Sequence, residues 1–397
     1  IIDISLEHKY ETTQADAYNI WGSALCECAK IHNNEQLFKD ACSKFELATK
    51  YKKGNCLTFI NWGSVLCEFA KFQKSEELYK EACDKCKLAV KYKEGDYFAY
   101  INWGSVLYEF AKFQNSEKLY NEACSKFELA VKYKEDKHGA FRRWAVTLFS
   151  FAKLQNSEKL YNEACAKFEL AVKYKEDDSL AFCNWGITLF SFAKLQNSEE
   201  LYNEACSKFE LAVKYKGDFP QIYSVWGETL CKLAVFNNNN EVLYNEACSK
   251  FELAVKNKED DPLTFYNWGL TLSKLARLQN SEKLYKDACS KYELSIKYKE
   301  DDPLTFCSWG LTLSELARLQ NSEKLYKDAC SKYELSIKYK KDNPLAFYNW
   351  GHTLSEFAGL QNNEDLYNEA CSKFELAVRN KEDDPLAFYS WGIALSE

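Results

Sequence analysis

The chain has 397 residues, of which 46% are hydrophobic, 16% aromatic and 28% charged, with only 14 glycines and 5 prolines. This composition excludes a mainly disordered chain, which would have fewer aromatic residues, and a collagen-like chain. The formal net charge of −7 argues against a general nucleic-acid binder. No uninterrupted apolar stretch is long enough to cross a bilayer, so the sequence predicts no membrane span.

Tryptophans divide the chain into segments of almost equal length. The spacing between successive tryptophans is 41 residues in eight cases and 42 in one. A fixed period in this range is typical of a stacked repeat array. We therefore predict an all-α chain that forms a single array, residues 1–397, of about nine stacked helix-turn-helix repeats. The predicted repeats start near residues 15, 56, 97, 138, 179, 220, 262, 303 and 344, with a partial repeat from 385.

The first residues fit the end of a repeat. Ile4 and Leu6 occupy the same positions in the period as Phe127 and Leu129, which belong to a predicted second helix. We expect residues 1–14 to be the remnant of such a helix. The chain begins without Met and ends in a predicted first helix. We expect either a longer natural array or stacking between molecules at the two ends.

The third repeat, residues 97–137, shows how the pattern predicts two helices. Apolar residues at steps of three and four form a stripe in its first half: Tyr100, Trp103, Leu107, Phe110 and Ala111. A second stripe follows in its second half: Leu119, Ala123, Phe127 and Ala130. Between the stripes, Asn115 or Ser116 can cap the second helix. Later repeats begin with a cap followed by proline, as at Asp302-Pro303.

These residues resemble the tetratricopeptide repeat family. The family pattern is matched by Tyr100-x2-Trp103-Gly104-x2-Leu107 and by Ala123-x3-Phe127-x2-Ala130. The repeat has 41 residues rather than the usual 34, so both helices are expected to gain about one turn. Such an elongated Trp-Gly repeat is similar to those of plant-type mitochondrial import receptors. The resemblance implies a right-handed superhelical solenoid whose first helices line a concave groove.

Residues around each tryptophan carry two structural expectations. Glycine follows nine of the ten tryptophans, the exception being Trp144-Ala145. We expect this glycine to let the second helix come close, against Ala123 and its counterparts. The tryptophans themselves, at helical spacing, are expected to be core residues rather than a ligand-stacking row.

The resemblance places peptides or partner helices on the first helices, beside the tryptophans. In the fourth repeat, Arg142 and Arg143 could dock a carboxylate or a phosphate, with Phe149 and Phe190 as apolar anchors. Asparagines in the groove could bond a peptide backbone, or could be there only because a helix surface needs polar residues. The candidate partner-binding residues are Asn102, Tyr108, Arg142, Arg143, Phe149, Asn184, Phe190, Tyr266, Asn267, Tyr348 and Asn349.

No residue pattern indicates catalysis or a cofactor. The four histidines occupy different positions in different repeats, and phosphate loops and nucleophile motifs are missing. Cys83 and Cys86 could form half of a zinc site, but no second ligand pair is in register. We predict no catalytic residues, no metal site and no cofactor. The many cysteines without evident pairing favour a reducing, intracellular compartment, with the cytoplasm as first choice.

Three functions are compatible with this pattern. The preferred one is a non-catalytic interaction scaffold that binds a protein or peptide partner in the groove. The alternative is a structural protein that assembles end to end, since Asn-Ser-Glu-Lys-Leu-Tyr recurs at residues 115, 156, 280 and 321. An RNA-binding array is disfavoured because only the fourth repeat is locally basic. We expect no nucleic-acid partner.

Overall fold

The computed structural model describes residues 2–134, 137–215, 220–257, 261–380 and 391–392. Within these residues the chain forms eighteen α-helices and no β-strand. Most of the predicted partial repeat from 385 lies outside the described residues. The repeat array is therefore all-α, as the sequence predicted.

The first helices of the repeats carry the tryptophans. From the second repeat onward they begin at the predicted repeat starts. Their bounds are α1 Ile2–His32, α3 Cys56–Gln73, α5 Tyr97–Gln114, α7 His138–Gln155, α9 Ser179–Gln196, α11 Pro220–Phe236, α13 Pro262–Gln279, α15 Pro303–Gln320 and α17 Pro344–Gln361.

The second helices follow after turns of a few residues. Their bounds are α2 Glu35–Tyr51, α4 Glu76–Tyr92, α6 Glu117–Ala130, α8 Glu158–Tyr174, α10 Glu199–Lys214, α12 Glu241–Lys256, α14 Glu282–Tyr298, α16 Glu323–Tyr339 and α18 Glu364–Asn380. Each turn starts with a left-handed residue, for example Asn115 with φ of 50°, a conformation that Asn tolerates. Ser116 then caps α6, because its hydroxyl accepts from the Leu119 amide at 3.4 Å.

The chain's start differs from the prediction. Residues 2–14 are not the remnant of a separate second helix, because α1 runs without a break from Ile2 to His32. The segment just before the predicted repeat start at residue 15, Glu11-Thr12-Thr13-Gln14, contains neither glycine nor proline, so nothing in it ends a helix.

The glycine after each tryptophan meets an aromatic ring of the second helix. A Cβ atom added at Gly104 would lie 2.8 Å from Phe127, and one at Gly310 would lie 2.8 Å from Tyr333. The close neighbour is thus the aromatic residue four positions after the expected alanine, Ala123. In the second repeat Cys86 takes the place of the ring, and a Cβ at Gly63 would lie 2.9 Å from its sulfur.

The tryptophans are less buried than the sequence suggested. Trp185 and Trp350 are core residues, whereas Trp21 is 51% exposed. A lysine of the second helix covers each indole ring, with Lys332 Nζ 3.9 Å from the centre of Trp309. Every tryptophan from Trp21 to Trp350 has such a lysine, at 3.6 to 4.2 Å. The ladder therefore combines apolar packing with cation–π contacts.

Contacts divide the chain into two compact units. The first comprises Ile1–Asn197 and Ser207–Gly217, and the second comprises Ser198–Cys206 and Asp218–Glu397. Within each unit, a second helix packs on the first helix of the following repeat. Aromatic rings stack at these junctions, as in Tyr120–Phe151 at 5.2 Å and Tyr326–Phe357 at 5.3 Å. The repeats thus bury against their neighbours the apolar stripes that one helix pair leaves open.

Candidate partner-binding face

The first helices of the first unit surround a cavity of about 690 Å³. Side chains from α1, α3, α5, α7 and α9 line it, so five successive repeats contribute. We call this face of the five helices the first-unit groove. Its apolar lining includes Ile60, Val65, Phe98, Ile101, Val146 and Leu180, and its uncharged amides are Asn61, Asn102 and Asn184.

Acidic and basic side chains in the first-unit groove neutralise one another. Lys30 pairs with Glu27 within α1. Lys71 Nζ lies 2.9 Å from Glu68 and 3.5 Å from Glu109, so it joins two adjacent repeats. The sequence analysis did not single out these residues. Their signal was a glutamate six residues and a lysine nine residues after the tryptophan in each of the first three repeats.

The two adjacent arginines of the fourth repeat have different surroundings. Arg142 Nη1 lies 3.5 Å from Asp178 Oδ1, and only 6% of the Asp178 side chain is exposed. Asp178 also accepts from the Ala181 amide at 3.0 Å and so caps α9. Arg143 is exposed towards the cavity and donates to Ser105 Oγ at 3.3 Å. Arg143 forms no ion pair with any described residue, whereas Arg142 is already neutralised.

Asn102 and Tyr108 line the cavity but also join neighbouring repeats. The Asn102 amide nitrogen donates to Ser64 Oγ, and its oxygen accepts from the Cys86 thiol at 3.1 Å. Tyr108 Oη lies 3.1 Å from Ser150 Oγ. Their polar atoms therefore stabilise the stack, and a ligand would meet them already oriented.

Phe149 and Phe190 do not line the cavity. Phe149 is half-buried, and its ring centre lies 6.1 Å from that of Tyr161 in the second helix of the same repeat. Phe190 is 7% exposed and belongs to the core. The expected exposed anchor at Phe190 was therefore wrong, although Cys26, Cys67 and Tyr108 at the same position of the first three repeats line the cavity.

The remaining predicted residues lie on first helices of the second unit, on α13 and α17. Tyr266 Oη is 3.3 Å from Ser308 Oγ, and the Tyr348 ring packs edge-on against Phe374. Asn349 donates to Cys307 Sγ at 3.6 Å, and Asn267 is half-buried. Three of these four side chains thus contact neighbouring residues of the same unit.

The part of the chain that the structure describes holds neither a metal-binding cluster nor a membrane-spanning helix. No group of three His, Cys, Asp or Glu side chains there is arranged to hold a metal ion. No described helix is long and apolar enough to cross a membrane.

The repeat period, the Trp-Gly signature and the stacked helix pairs define an all-α helical repeat protein whose repeat resembles the tetratricopeptide repeat. A family model described as the plant specific mitochondrial import receptor subunit TOM20 matches residues 78–178. This segment runs from within α4 to the residue before α9 and includes much of the first-unit groove. A search of curated proteins found no match to the sequence.

Solved structures with a similar fold include two that are described as tetratricopeptide repeat proteins. YrrB, described as having an unusual peptide-binding site, is 20% identical over 56% of this chain and 96% of its own, with a TM-score of 0.41. The C-terminal part of a repeat protein from Cytophaga hutchinsonii is 16% identical over 71% and 98%, with a TM-score of 0.49. PilF from Pseudomonas aeruginosa is 14% identical over 65% and 98%, with a TM-score of 0.43.

Proposed function

We propose that this protein is a non-catalytic interaction scaffold that binds a peptide segment of a partner protein in the first-unit groove. The observation that carries this proposal is the cavity of about 690 Å³ between five successive first helices. Its size falls in the range of ligand sites, and its lining combines apolar walls with a few oriented polar groups.

The lining favours a peptide over a small metabolite. The cavity extends over side chains of α1 to α9, a length suited to a chain segment rather than a compact molecule. The amides of Asn61, Asn102 and Asn184 occupy the same position in the second, third and fifth repeats and line the cavity. They are thus spaced along it and can bond successive backbone groups of an extended peptide. Asn102, Tyr108, Arg143 and Asn184 are the sequence-predicted residues that we assign to this site.

The chemistry of the cavity supports a binding role without catalysis. Its thiols are poor nucleophiles, because burial raises the pKa of Cys67 to about 12 and that of Cys26 to about 11. No disulfide joins any of the seventeen cysteines, which supports a reducing compartment such as the cytoplasm. Tyr266, Asn267, Tyr348 and Asn349 are proposed as a separate contact surface of the second unit.

Site-specific photo-crosslinking tests the groove. A benzoyl-phenylalanine replacing Ile101, which lines the cavity, should capture a protein partner from cell extract. The same probe at Lys118, an exposed position on α6, serves as the matched control. Val146→Trp, which fills the cavity, should abolish capture at residue 101. Equal capture at both positions, or capture that persists with Val146→Trp, would contradict the proposal.

A further inference from the structure

We infer that the first-unit groove selects a segment in which an acidic side chain stands beside an apolar one. The carboxylate binds Arg143, and the apolar side chain enters a notch at Gly139. This inference rests on the proposed function and specifies its ligand.

Arg143 is the one cavity-lining cation left without a carboxylate partner among the described residues. Lys30, Lys71 and Arg142 each contact a glutamate or an aspartate of this chain. The surrounding helices partly desolvate the Arg143 guanidinium, and this desolvation, with the neighbouring Arg142, lowers its pKa, as expected where no carboxylate lies beside it. An incoming carboxylate would supply that compensation in a forked, charge-assisted hydrogen bond.

Near Arg143, the fourth repeat has a glycine where most other repeats have an apolar residue. The position five residues before the tryptophan holds exposed apolar residues in most repeats, including Leu57, Phe98 and Leu180. Phe98 and Leu180 both line the cavity. In the repeat between them the residue is Gly139, and a Cβ added there would meet nothing closer than Tyr97 Oη at 3.5 Å. The row of apolar side chains is therefore interrupted at Gly139, where an added Cβ atom would make only an ordinary contact.

This interruption and the free charge occur in one turn of one helix. Gly139 and Arg143 are four residues apart on α7, so they lie on the same helix face. No other described repeat has glycine five residues before its tryptophan and arginine one residue before it. Residues two positions apart in an extended segment point their side chains the same way and are about 6–7 Å apart, so they can reach the two subsites, one with a carboxylate and one with an apolar side chain.

The carboxylate is assigned to an internal Asp or Glu rather than to a chain terminus. Lining residues continue on both sides of Arg143, with Ile101 and Asn102 on α5 and Leu180 and Asn184 on α9. A segment that ended at Arg143 would leave one side of the lining uncovered. The occupant is thus a partner segment that extends along the groove on both sides of Arg143 and contacts Arg143 through an internal acidic residue.

Selection from a phage-displayed library of random 12-residue peptides tests the inference on the full chain. Wild type should enrich internal Asp or Glu two positions from Leu, Ile or Phe. Arg143→Gln should lose the acidic preference and keep the apolar one, with about a tenfold loss of affinity for a wild-type-selected peptide. Arg143→Lys should keep part of the acidic preference. Gly139→Leu, which restores the residue of other repeats, should lose the apolar preference and keep the acidic one.

The outcomes separate this inference from the proposed function. If wild type enriches peptides that Val146→Trp no longer binds, but Arg143→Gln leaves their acidic content unchanged, the ligand assignment is wrong and the groove function stands. If peptides enriched by wild type also bind Val146→Trp, or none are enriched, the groove function itself fails. Helical circular dichroism and urea midpoints equal to wild type confirm that each variant is folded.

Discussion

The two units use different side chains to join the first helices of successive repeats. In the second unit, hydroxyls join successive repeats: Ser273 Oγ lies 2.7 Å from Thr312 Oγ1, and Thr353 donates to Ser314 at 3.1 Å. In the first unit, the positions of Ser273 and Thr312 hold Cys67 and Val106, which share an apolar cluster. At this pair of positions the second unit has a hydrogen bond between repeats, whereas the first unit has an apolar contact beside the cavity.

The aromatic residue that packs against the glycine after the tryptophan also differs between the units: it is Tyr333 beside Gly310 in the second unit and Phe127 beside Gly104 in the first. Tyr333 is completely buried, with its hydroxyl oxygen 3.3 Å from Thr353 Oγ1 and within hydrogen-bond distance, and burial raises its pKa well above the usual value. Phe127 has no hydroxyl, and its ring borders the cavity. The comparison teaches that a constant helical period leaves the junction side chains free to vary. These side chains can bond one repeat to the next, or they can border a cavity that a ligand could fill.

Adding a methyl group at the glycine should show this difference most strongly. Gly310→Ala places a Cβ 2.8 Å from a tyrosine ring that its hydrogen bond holds in place. We expect a loss of about 2–3 kcal/mol. Gly104→Ala meets Phe127 at the same distance, but that ring can move towards the cavity, so we expect about 1 kcal/mol. Hydrogen exchange in α16 and α6 measures the two losses, and equal losses would contradict the comparison.

The adjacent arginines give the next largest difference, this time within one helix of the first unit. Arg142→Gln leaves the buried Asp178 carboxylate without its charged partner, so we expect a loss of about 1–3 kcal/mol. Arg143→Gln removes only a contact to a serine, so its free energy of unfolding in urea should stay within about 0.5 kcal/mol of wild type. If both variants lose stability equally, Arg143 is a structural residue and the proposed ligand contact is wrong.

The sequence predicted the backbone arrangement well because every signal was repeated. Trp-Gly pairs, Asn-Ser turns and Asp-Pro starts occur at the same places in many repeats, so each helix was indicated several times over. The start of α1 was missed because it depended on a partial match, without a glycine, proline or cap to test it. A helix boundary needs such a local signal.

The candidate site was harder to predict because its properties depend on pairs of residues from different repeats. Nothing local to Arg142-Arg143 shows that Asp178, a helix cap 36 residues later, neutralises only the first of them. Phe190 could be placed on a first helix, but its burial depends on the neighbouring helices. Gly139 carried the opposite kind of signal, the absence of a side chain, which is visible only when the cavity beside it is known.

Glu356 should make the second unit's first-helix face sensitive to pH. Burial raises the pKa of Glu356, while His352 and Arg318 partly oppose this effect and Glu315 adds to it. The folded state therefore favours the protonated acid, a stabilisation that is lost as the pH rises through the raised pKa. Glu356→Gln should gain urea stability relative to wild type from pH 4 to pH 7. The same comparison in a His352→Gln background removes the histidine's own titration. A constant difference across this range would contradict the prediction.

The lysine over each tryptophan should show the smallest effect and no difference between the units. Lys332→Met removes a cation–π contact at 3.9 Å from Trp309, and Lys126→Met removes one at 4.2 Å from Trp103. We expect each to cost about 0.5–1 kcal/mol in urea unfolding, because methionine keeps most of the apolar cover and loses only the charge. Lys324→Met, at an exposed position of α16, is the matched control and should change nothing measurable. Equal losses in the two units would mean that this contact belongs to the constant part of the repeat. A larger loss in one unit would mean that the junctions also determine how closely the lysine lies on the ring.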